Sequence, residues 1–342
     1  MPNMSPFWAW SPIIASRRSV NTVALLMAVV ACLVPVSALR QTTRAPGPID
    51  VPRSRIIDAA VLLDDLRILS ADDMQGRKFG TAGGAKARAF VVSRFKAAGV
   101  APLADSYEFP IVARLAAGET RGANVIGVIR GTADADRYLI LSAHYDHVGV
   151  RGGEIYNGAD DNASGTAALF SIAQYLSTHR PHSSVLVVAF DGEEAGLVGS
   201  RAFVRDPPVD RKAIRLDLNM DMVGRDPNDI LYVTGTARQP DLRAVVARVA
   251  ARAPLHLRLG HDGGDSGEDW TKDSDHYAFI EAGLPALYFG VEDYAQLHRP
   301  TDDFETMTYG FYVKAVETVI AALEAFDAPD ATVPHPRCRV CH

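Results

Sequence analysis

Cysteine is scarce in this sequence: the 342 residues include three, and two of them lie in the last five positions. A framework of disulfide bonds or thiolate metal ligands is therefore not expected in the body of the chain. The terminal string Cys338-Arg339-Val340-Cys341-His342 matches the haem-attachment pattern, but no helix follows it to build a haem pocket. We interpret residues 329–342 as a disordered tail.

Lys/Arg-rich runs are also absent from the body of the chain, and the formal net charge is −6. Since proteins bind nucleic acid through clustered Lys and Arg, nucleic acid is not an expected partner. Repeats and low-complexity tracts are lacking as well. Because the composition does not shift between Arg53 and Asp327, residues 56–328 are predicted to form one domain.

Apolar runs of any length are confined to the N-terminal region. Arg17-Arg18 precedes an apolar run at 23–36 that is short for a membrane span, and Val36-Ser37-Ala38 offers a small-residue cleavage site. We interpret residues 1–38 as the signal peptide of an exported, periplasmic or secreted protein, without a stable membrane domain in the mature chain. Residues 39–55, rich in Pro, Thr and Arg, are predicted to be a linker. A twin-arginine signal, a lipid anchor on Cys32 and an uncleaved anchor are the alternatives.

Strand and helix patterns alternate along residues 56–328, which is typical of an α/β fold. The expected fold is a single globular domain with a mostly parallel, mixed central sheet sandwiched by helices. Helices are predicted at 56–69, 85–98, 166–178, 241–251, 275–282 and 309–326. Strands are predicted at 107–115, 124–129, 138–142, 184–190, 216–223, 230–233 and 284–289.

Two adjacent carboxylates, Glu193 and Glu194, directly follow the predicted strand 184–190. They therefore lie at the carboxyl end of a strand, where open α/β sheets bind their ligands. Because neighbouring side chains on non-helical backbone point in different directions, one carboxylate can bind a metal while the other carries a proton. A lone Glu-Glu pair is more often solvated surface, so this interpretation depends on the rest of the chain.

His144-Tyr145-Asp146 follows another predicted strand. Residues two apart on a strand face the same side, so Asp146 can hold the tautomer of His144 while the other ring nitrogen binds a metal. An isolated His-x-Asp is more often a hydrogen-bonded loop, and this motif too depends on its context.

Three further stretches carry ligand-type residues. Asp160 and Asp161 lie directly before a predicted helix, and two aspartates are more than one N-cap needs. Asp221 lies in an apolar predicted strand, where a carboxylate needs a partner charge or a metal. His298 lies in the loop before the last helix.

Together these residues complete a two-metal set. A centre with two divalent cations can be built from one bridging carboxylate, with one His and one further carboxylate on each cation. This arrangement needs five ligands, and the five residues His144, Asp161, Glu194, Asp221 and His298 supply them. Oxygen and imidazole donors without thiolate suit two Zn²⁺ ions, with Mn²⁺ or Co²⁺ as alternatives. Glu193 is left unbound beside them, where it can act as a base.

These motifs, in this order, resemble those of the di-zinc aminopeptidase family, which includes secreted bacterial leucyl aminopeptidases and is related to glutamate carboxypeptidase and glutaminyl cyclase. The similarity covers residues 66–326, and residues 69–77 and 122–127 also resemble segments common in bacterial members. The resemblance implies His144 and Asp221 as ligands of one zinc, Glu194 and His298 as ligands of the other, and Asp161 as the bridge. It also implies Glu193 as general base, Asp146 as the residue that orients His144, and a cis peptide bond after Asp161.

The resemblance further implies a zinc-dependent exopeptidase that hydrolyses N-terminal residues of peptides through a water between the metals. The expected partners are peptides with a free N-terminus, and the expected state is a monomer. A glutaminyl cyclase or other amidohydrolase, and a non-catalytic metal-binding ectodomain, remain as alternatives. The presence of all five ligands and of Glu193 favours the peptidase.

Several other polar residues receive structural interpretations. His276 is expected to line or support the pocket. We expect five other residues to make loop hydrogen bonds, to cap helices or to lie on a solvated rim: His147, Asp160, Asp191, Asp302 and Asp303. The acidic residues within 260–269 predict an acidic rim that would favour basic N-terminal residues.

Overall fold

The computed structural model describes residues 50–116, 118–263, 268–331 and 333. The predicted signal peptide, the Cys32 lipidation site, most of the predicted linker and most of the predicted tail lie outside these ranges, and export stays a prediction. The described residues from Asp50 onward belong to one compact unit. Within them, no helix combines the length and the apolar character that crossing a bilayer requires.

A nine-stranded mixed sheet forms the centre of this unit. The strands of the described residues are β1 (Ala101–Pro102), β2 (Glu108–Leu115), β3 (Gly118–Ile129), β4 (Asp134–His144), β5 (Gly149–Arg151), β6 (Glu154–Tyr156), β7 (Ser183–Phe190), β8 (Ile214–Met220), β9 (Ile230–Thr234), β10 (His256–Leu259) and β11 (Ala286–Gly290). The order in the sheet is β1-β3-β7-β4-β8-β11-β9-β10, with β2 paired to β3. The strands β7, β4, β8 and β11 run parallel, whereas the pairs made by β1, β2 and β3 and the β11–β9 pair are antiparallel. Two short strands, β5 and β6, pair separately.

Helices cover both faces of the sheet. They are α1 (Ala59–Leu69), α2 (Ala82–Ala97), α3 (Gly165–Thr178), α4 (Val198–Arg205), α5 (Arg243–Ala250), α6 (His276–Glu281) and α7 (Tyr309–Asp327). One face packs Ile140 of β4 and Val188 of β7 against Phe203 of α4 and Phe279 of α6. Because side chains alternate along a strand, the intervening apolar residues face the opposite layer, which contains α3. Every residue of β7 is buried, as expected of a strand covered on both sides.

The predicted fold class is confirmed, with differences at the ends of elements. Helix α2 begins three residues earlier than predicted, because Thr81 caps it by accepting a hydrogen bond from the N–H of Gly84 at 3.2 Å. Strand β8 ends at Met220 rather than at residue 223, since Met222 takes a left-handed φ of 56°. Asp221 therefore lies just beyond the strand and not inside it.

Candidate metal centre

The carboxyl ends of three neighbouring parallel strands bring predicted ligands to one place. His144 is the last residue of β4 and pairs in register with Phe190, the last residue of β7. The segment that contains Glu193 and Glu194 therefore leaves the sheet beside His144. On the other side of β4, strand β8 ends directly before Asp221. The sheet register thus explains why the three segments meet.

Asp161 and His298 reach the same place from loops. The peptide bond between Asp161 and Asn162 is cis, as the family resemblance implies. The side-chain amide of Asn162 donates to the carbonyl of Met220 at 2.9 Å and so ties this turn to the end of β8. His298 lies between β11 and α7.

His144, Asp161 and Asp221 form a first group of donor atoms. Nε2 of His144 lies 3.2 Å from Oδ2 of Asp221 and 3.5 Å from Oδ1 of Asp161. All three residues are buried. Nε2 of His144 and Oδ1 of Asp221 have no hydrogen-bond partner among the described residues, so both can face a cation.

A second group surrounds Glu194 and the other oxygen of Asp161. Nε2 of His298 lies 3.0 Å from Oε2 of Glu194 and 3.3 Å from Oδ2 of Asp161. Nδ1 of His147 lies 2.8 Å from Oε1 of Glu194 and 3.6 Å from Oδ2 of Asp161. Asp161 therefore offers one oxygen to each group, which is the arrangement of a bridging carboxylate.

His147 is a residue whose place the sequence pattern does not reveal. It is fully buried, and neither of its ring nitrogens makes a hydrogen bond to another described residue. The prediction that His147 makes a loop hydrogen bond or belongs to a solvated rim is therefore wrong. Its contact with Glu194 has the distance of a hydrogen bond but not the angles. Its position three residues after His144, in the loop that leaves β4, is the signal that could have placed it at this edge.

Glu193 lies beside the first group without joining it, with Oε2 4.0 Å from Nε2 of His144. Its backbone N–H donates to Oδ1 of Asp146 at 3.0 Å. Nδ1 of His144 lies 3.1 Å from the backbone carbonyl oxygen of Asp146 and 3.6 Å from its carboxylate. Asp146 thus contacts His144 mainly through the main chain, and its carboxylate positions the backbone of Glu193.

The two adjacent glutamates have opposite electrostatic surroundings. Burial raises the pKa of Glu193 well above its usual range, and the charges of Asp275 and Asp221 add to this while His144 opposes it. Although burial acts in the same direction on Glu194, its contacts with His147 and His298 dominate and hold its pKa below the usual range. Environments that separate two carboxylates in this way suit one as a proton carrier and the other as an ionised ligand.

Arg77, a second residue that the sequence pattern does not single out, supports the turn that carries Asp161. Its guanidinium is fully buried and donates to the carbonyl oxygens of Tyr145, Asn157 and Gly158. Burial lowers the pKa of Arg77 to about 10, although the charge of Asp161 and other nearby carboxylates opposes this. Its position in the 69–77 segment, which the sequence analysis compares with bacterial family members, is the sequence signal for this role.

Two further features hold the same turn. Gly158 has a φ of +57°, and a Cβ at this position would lie 2.1 Å from the carbonyl oxygen of Asp161, so no other residue fits without a shift of the backbone. The carboxylate of Asp302 accepts from the N–H groups of Asp160 and Asp161 at 3.0 Å, and Arg225 balances its charge at 2.6 Å.

The other predicted structural acids accept loop hydrogen bonds, as expected. Asp160 accepts from the N–H of Gly224, Asp191 from the N–H of Ala123, and Asp303 from the side chain of Asn157.

The donor chemistry of the two groups fits divalent cations. The donors are carboxylate oxygens and imidazole nitrogens without thiolate, the set that zinc, manganese and cobalt accept. Several of these atoms are buried and lack hydrogen-bond partners among the described residues, including Oε1 of Glu194. Buried carboxylates in this number need nearby positive charge to remain ionised.

A cavity of about 290 Å³ opens onto the donor groups. Its lining residues are Asp161, Glu193, Glu194, Asp221, Met222, Trp270, Asp273, Tyr288, Val291, Tyr294, Leu297 and His298. His276 is buried behind this lining and stacks on Tyr288 with ring centroids 4.8 Å apart. Burial lowers the pKa of His276 to about 4, so it supports the lining as a neutral ring.

Residues 124–323 match the sequence profile of Peptidase family M28. A relative from Pyrenophora teres f. teres (strain 0-1), named a probable zinc metalloprotease, is 26% identical over 233 residues. That match covers 57% of this chain and 47% of the relative, so the chain spans less than half of the relative's length.

Two solved structures share the fold. The glutaminyl cyclase of Porphyromonas gingivalis superposes with a TM-score of 0.66 at 21% identity, over 79% of this chain and 99% of that chain. BSAP, a zinc aminopeptidase from Bacillus subtilis, superposes with a TM-score of 0.61 at 18% identity, over 79% of this chain and 95% of that chain. Identities this low establish likeness of fold and not of activity.

Proposed function

Because the chain belongs to Peptidase family M28, we propose that it is a zinc-dependent aminopeptidase, an exopeptidase that removes N-terminal residues from peptides. One observation carries the proposal: Asp161 offers one oxygen to each of two donor groups, and Glu193, a carboxylate outside both groups, lies beside them. Peptide hydrolysis at a two-metal centre needs a bridging ligand and a base that is not itself a ligand.

We assign His144 and Asp221 to one zinc, Glu194 and His298 to the other, and Asp161 to both. His298 is preferred to His147 because its Nε2 lies within 3.3 Å of oxygens of both Glu194 and Asp161. His298 also lines the cavity, whereas His147 does not. Two zinc ions held there would polarise the scissile carbonyl and lower the pKa of water.

The chain's own residues supply the proton transfer. Glu193 accepts a proton from the attacking water and delivers it to the amine of the departing peptide. Its carboxylate lies beside the first donor group, with Oε2 4.0 Å from Nε2 of His144, which suits a proton carrier that is not itself a ligand. The hydrogen bond from the backbone N–H of Glu193 to the carboxylate of Asp146 fixes the backbone of Glu193 beside the donor groups.

The cavity supports exopeptidase action. At about 290 Å³ it has room for one terminal residue rather than for a long segment of chain. The remainder of the peptide would leave through the open side.

A second candidate is glutaminyl cyclase activity, favoured by the likeness of fold to the Porphyromonas gingivalis enzyme. A cyclase would release ammonia from peptides that begin with glutamine and would leave other peptides intact. The two activities therefore give different products from one substrate mixture.

The test is mass spectrometry of a mixed-sequence peptide, its N-acetylated twin and a glutamine-led peptide, each incubated with the zinc-loaded protein with and without a chelator. We expect stepwise loss of residues from the free N-terminus only, abolished by the chelator and restored by zinc. Trimming of both peptides from the carboxyl end would overturn the proposal in favour of a carboxypeptidase. Ammonia loss alone from a glutamine-led peptide would establish the cyclase, and no change in any peptide would overturn both proposed activities.

A further inference from the structure

One part of the cavity lining is aromatic and rigidly held. The indole of Trp270 stacks on the ring of His261 with centroids 3.7 Å apart and an interplanar angle of 11°. Its Nε1–H donates to the hydroxyl oxygen of Tyr294 at 2.9 Å, and its ring packs on Tyr288 with centroids 5.7 Å apart. Trp270, Tyr288 and Tyr294 thus form a connected aromatic surface beside the donor groups.

Asp273 lies next to this surface, one residue after the short helical turn Trp270–Lys272. Apart from the four carboxylates of the proposed catalytic centre, it is the one acidic residue among those that line the cavity. Its carboxylate makes no hydrogen bond and no ion pair with any residue in the described ranges. Asp273 is exposed. The loss of part of its hydration raises its pKa, and the negative charges of Asp269, Asp221 and Glu268 raise it further.

The nearby cations do not compensate Asp273. Lys272 places its Nζ 5.8 Å from the ring centroid of Tyr277, and Arg225 is engaged by Asp293 and Asp302. No Lys or Arg lines the cavity. Two bound zinc ions would balance the four carboxylates of the proposed centre, whereas Asp273 would still lack a counter-charge.

We propose that Asp273, together with the rings of Trp270, Tyr288 and Tyr294, binds the cationic side chain of an N-terminal lysine or arginine, so that the enzyme prefers peptides that begin with a basic residue. The carboxylate supplies a charge-assisted hydrogen bond, and the aromatic faces attract the cation and pack on its aliphatic stem. This inference rests on the proposed aminopeptidase function and adds the class of residue that it removes.

The test compares kcat/KM for p-nitroanilides of lysine, arginine, norleucine and leucine. Norleucine has the aliphatic chain of lysine without its ammonium group, so the lysine-to-norleucine ratio isolates the contribution of the cation. We expect a ratio well above one for the wild type, and a ratio about ten-fold lower for Asp273→Asn.

Asp269→Asn is the matched control. It removes one charge from the same segment, at a residue outside the cavity lining, and asparagine can still cap the turn that Asp269 caps through the N–H of Thr271. We expect this variant to change the ratio less than about three-fold, since it alters only a screened, longer-range field.

Two outcomes would overturn the inference. An unchanged ratio in Asp273→Asn would mean that the carboxylate does not contact the side chain. An equal fall for all four substrates would mean that Asp273 binds the shared α-ammonium group or merely maintains the cavity.

Failure of the proposed function can be told apart from failure of this inference. Calorimetry with lysinamide and norleucinamide on zinc-loaded protein that carries Glu193→Gln measures recognition without turnover. If the wild type cleaves no p-nitroanilide, tighter binding of lysinamide that Asp273→Asn abolishes would still support the site. Equal binding of the two amides would overturn it.

Discussion

The carboxylate of Asp146 accepts a 3.0 Å hydrogen bond from the backbone N–H of Glu193. This contact joins the loop that follows β4 to the loop that follows β7. The carbonyl oxygen of Asp146 also contacts Nδ1 of His144 at 3.1 Å. Asp146 therefore fixes the proposed base relative to a proposed zinc ligand, although its own carboxylate lies 3.6 Å from Nδ1 of His144, beyond hydrogen-bond distance.

Replacing Asp146 by alanine should lower kcat by about 10- to 100-fold, because the backbone of Glu193 loses its anchor and His144 loses support. Asp146→Asn retains an acceptor oxygen for the N–H of Glu193 and should keep most of the rate. Steady-state kinetics with one aminoacyl p-nitroanilide measures both. An alanine variant with wild-type kcat would show that this hydrogen bond has no part in positioning the base.

Replacing Glu193 by glutamine should lower kcat by about 10²- to 10⁴-fold, since an amide cannot take up the proton of the attacking water. The zinc content should stay at two ions per chain, because Glu193 is not among the assigned ligands. Kinetics and elemental analysis on the same preparation separate the two effects. Loss of zinc in this variant would show that Glu193 is a ligand.

His298→Ala should leave one zinc ion per chain after dialysis, whereas His147→Ala should leave two. The reason is that Nε2 of His298 faces oxygens of both Asp161 and Glu194 at 3.3 and 3.0 Å. Elemental analysis of both variants decides between the two imidazoles. The reverse pattern would make His147 the ligand of the second zinc.

Arg77→Met should lower the free energy of unfolding by at least about 3 kcal/mol, because several buried carbonyl oxygens lose a charged donor at once. The matched control is Arg67→Met, which removes an exposed ion pair with Asp64 and should cost less than about 1 kcal/mol. Urea denaturation curves measure both. Equal midpoints for the two variants would contradict the supporting role of Arg77.

Asp217→Asn should stabilise the protein, and more strongly at pH 8 than at pH 5. Burial raises the pKa of Asp217 well above its usual range, although a 2.7 Å hydrogen bond with the hydroxyl of Ser142 opposes this. Since the folded state holds this proton more tightly than the unfolded chain, the wild type loses stability as the pH rises from about 4 towards the raised pKa. Asparagine does not titrate, so the variant does not lose stability in this way as the pH rises.

The Asp217 measurement is the difference in urea midpoint between variant and wild type at the two pH values. Taking a difference cancels the titration of groups that do not interact with Asp217. A difference that does not depend on pH would mean that Asp217 titrates normally in the folded protein.

The alternation of strand and helix patterns was sufficient to predict the sheet, because its central strands are long and apolar. Residues next to predicted strand ends, such as His144 and Glu194, could be placed together for the same reason. Asp221 was predicted inside strand 216–223 and lies just beyond the end of β8. The short strands β5, β6 and β10 were not predicted, since three or four residues carry little periodic signal. His147 and Arg77 were missed because their roles depend on contacts between distant segments, such as the one from Arg77 to Gly158.

The loop position of His298, between the last strand and the last helix, has a consequence for how the protein is made. The assigned ligands are spread along the chain from residue 144 to residue 298, and the last of them is synthesised near the end of the domain. A growing or truncated chain that stops before this loop lacks one donor of the second group, whatever part of the sheet it has already formed. The proposed peptidase activity would therefore require a chain that extends past this loop.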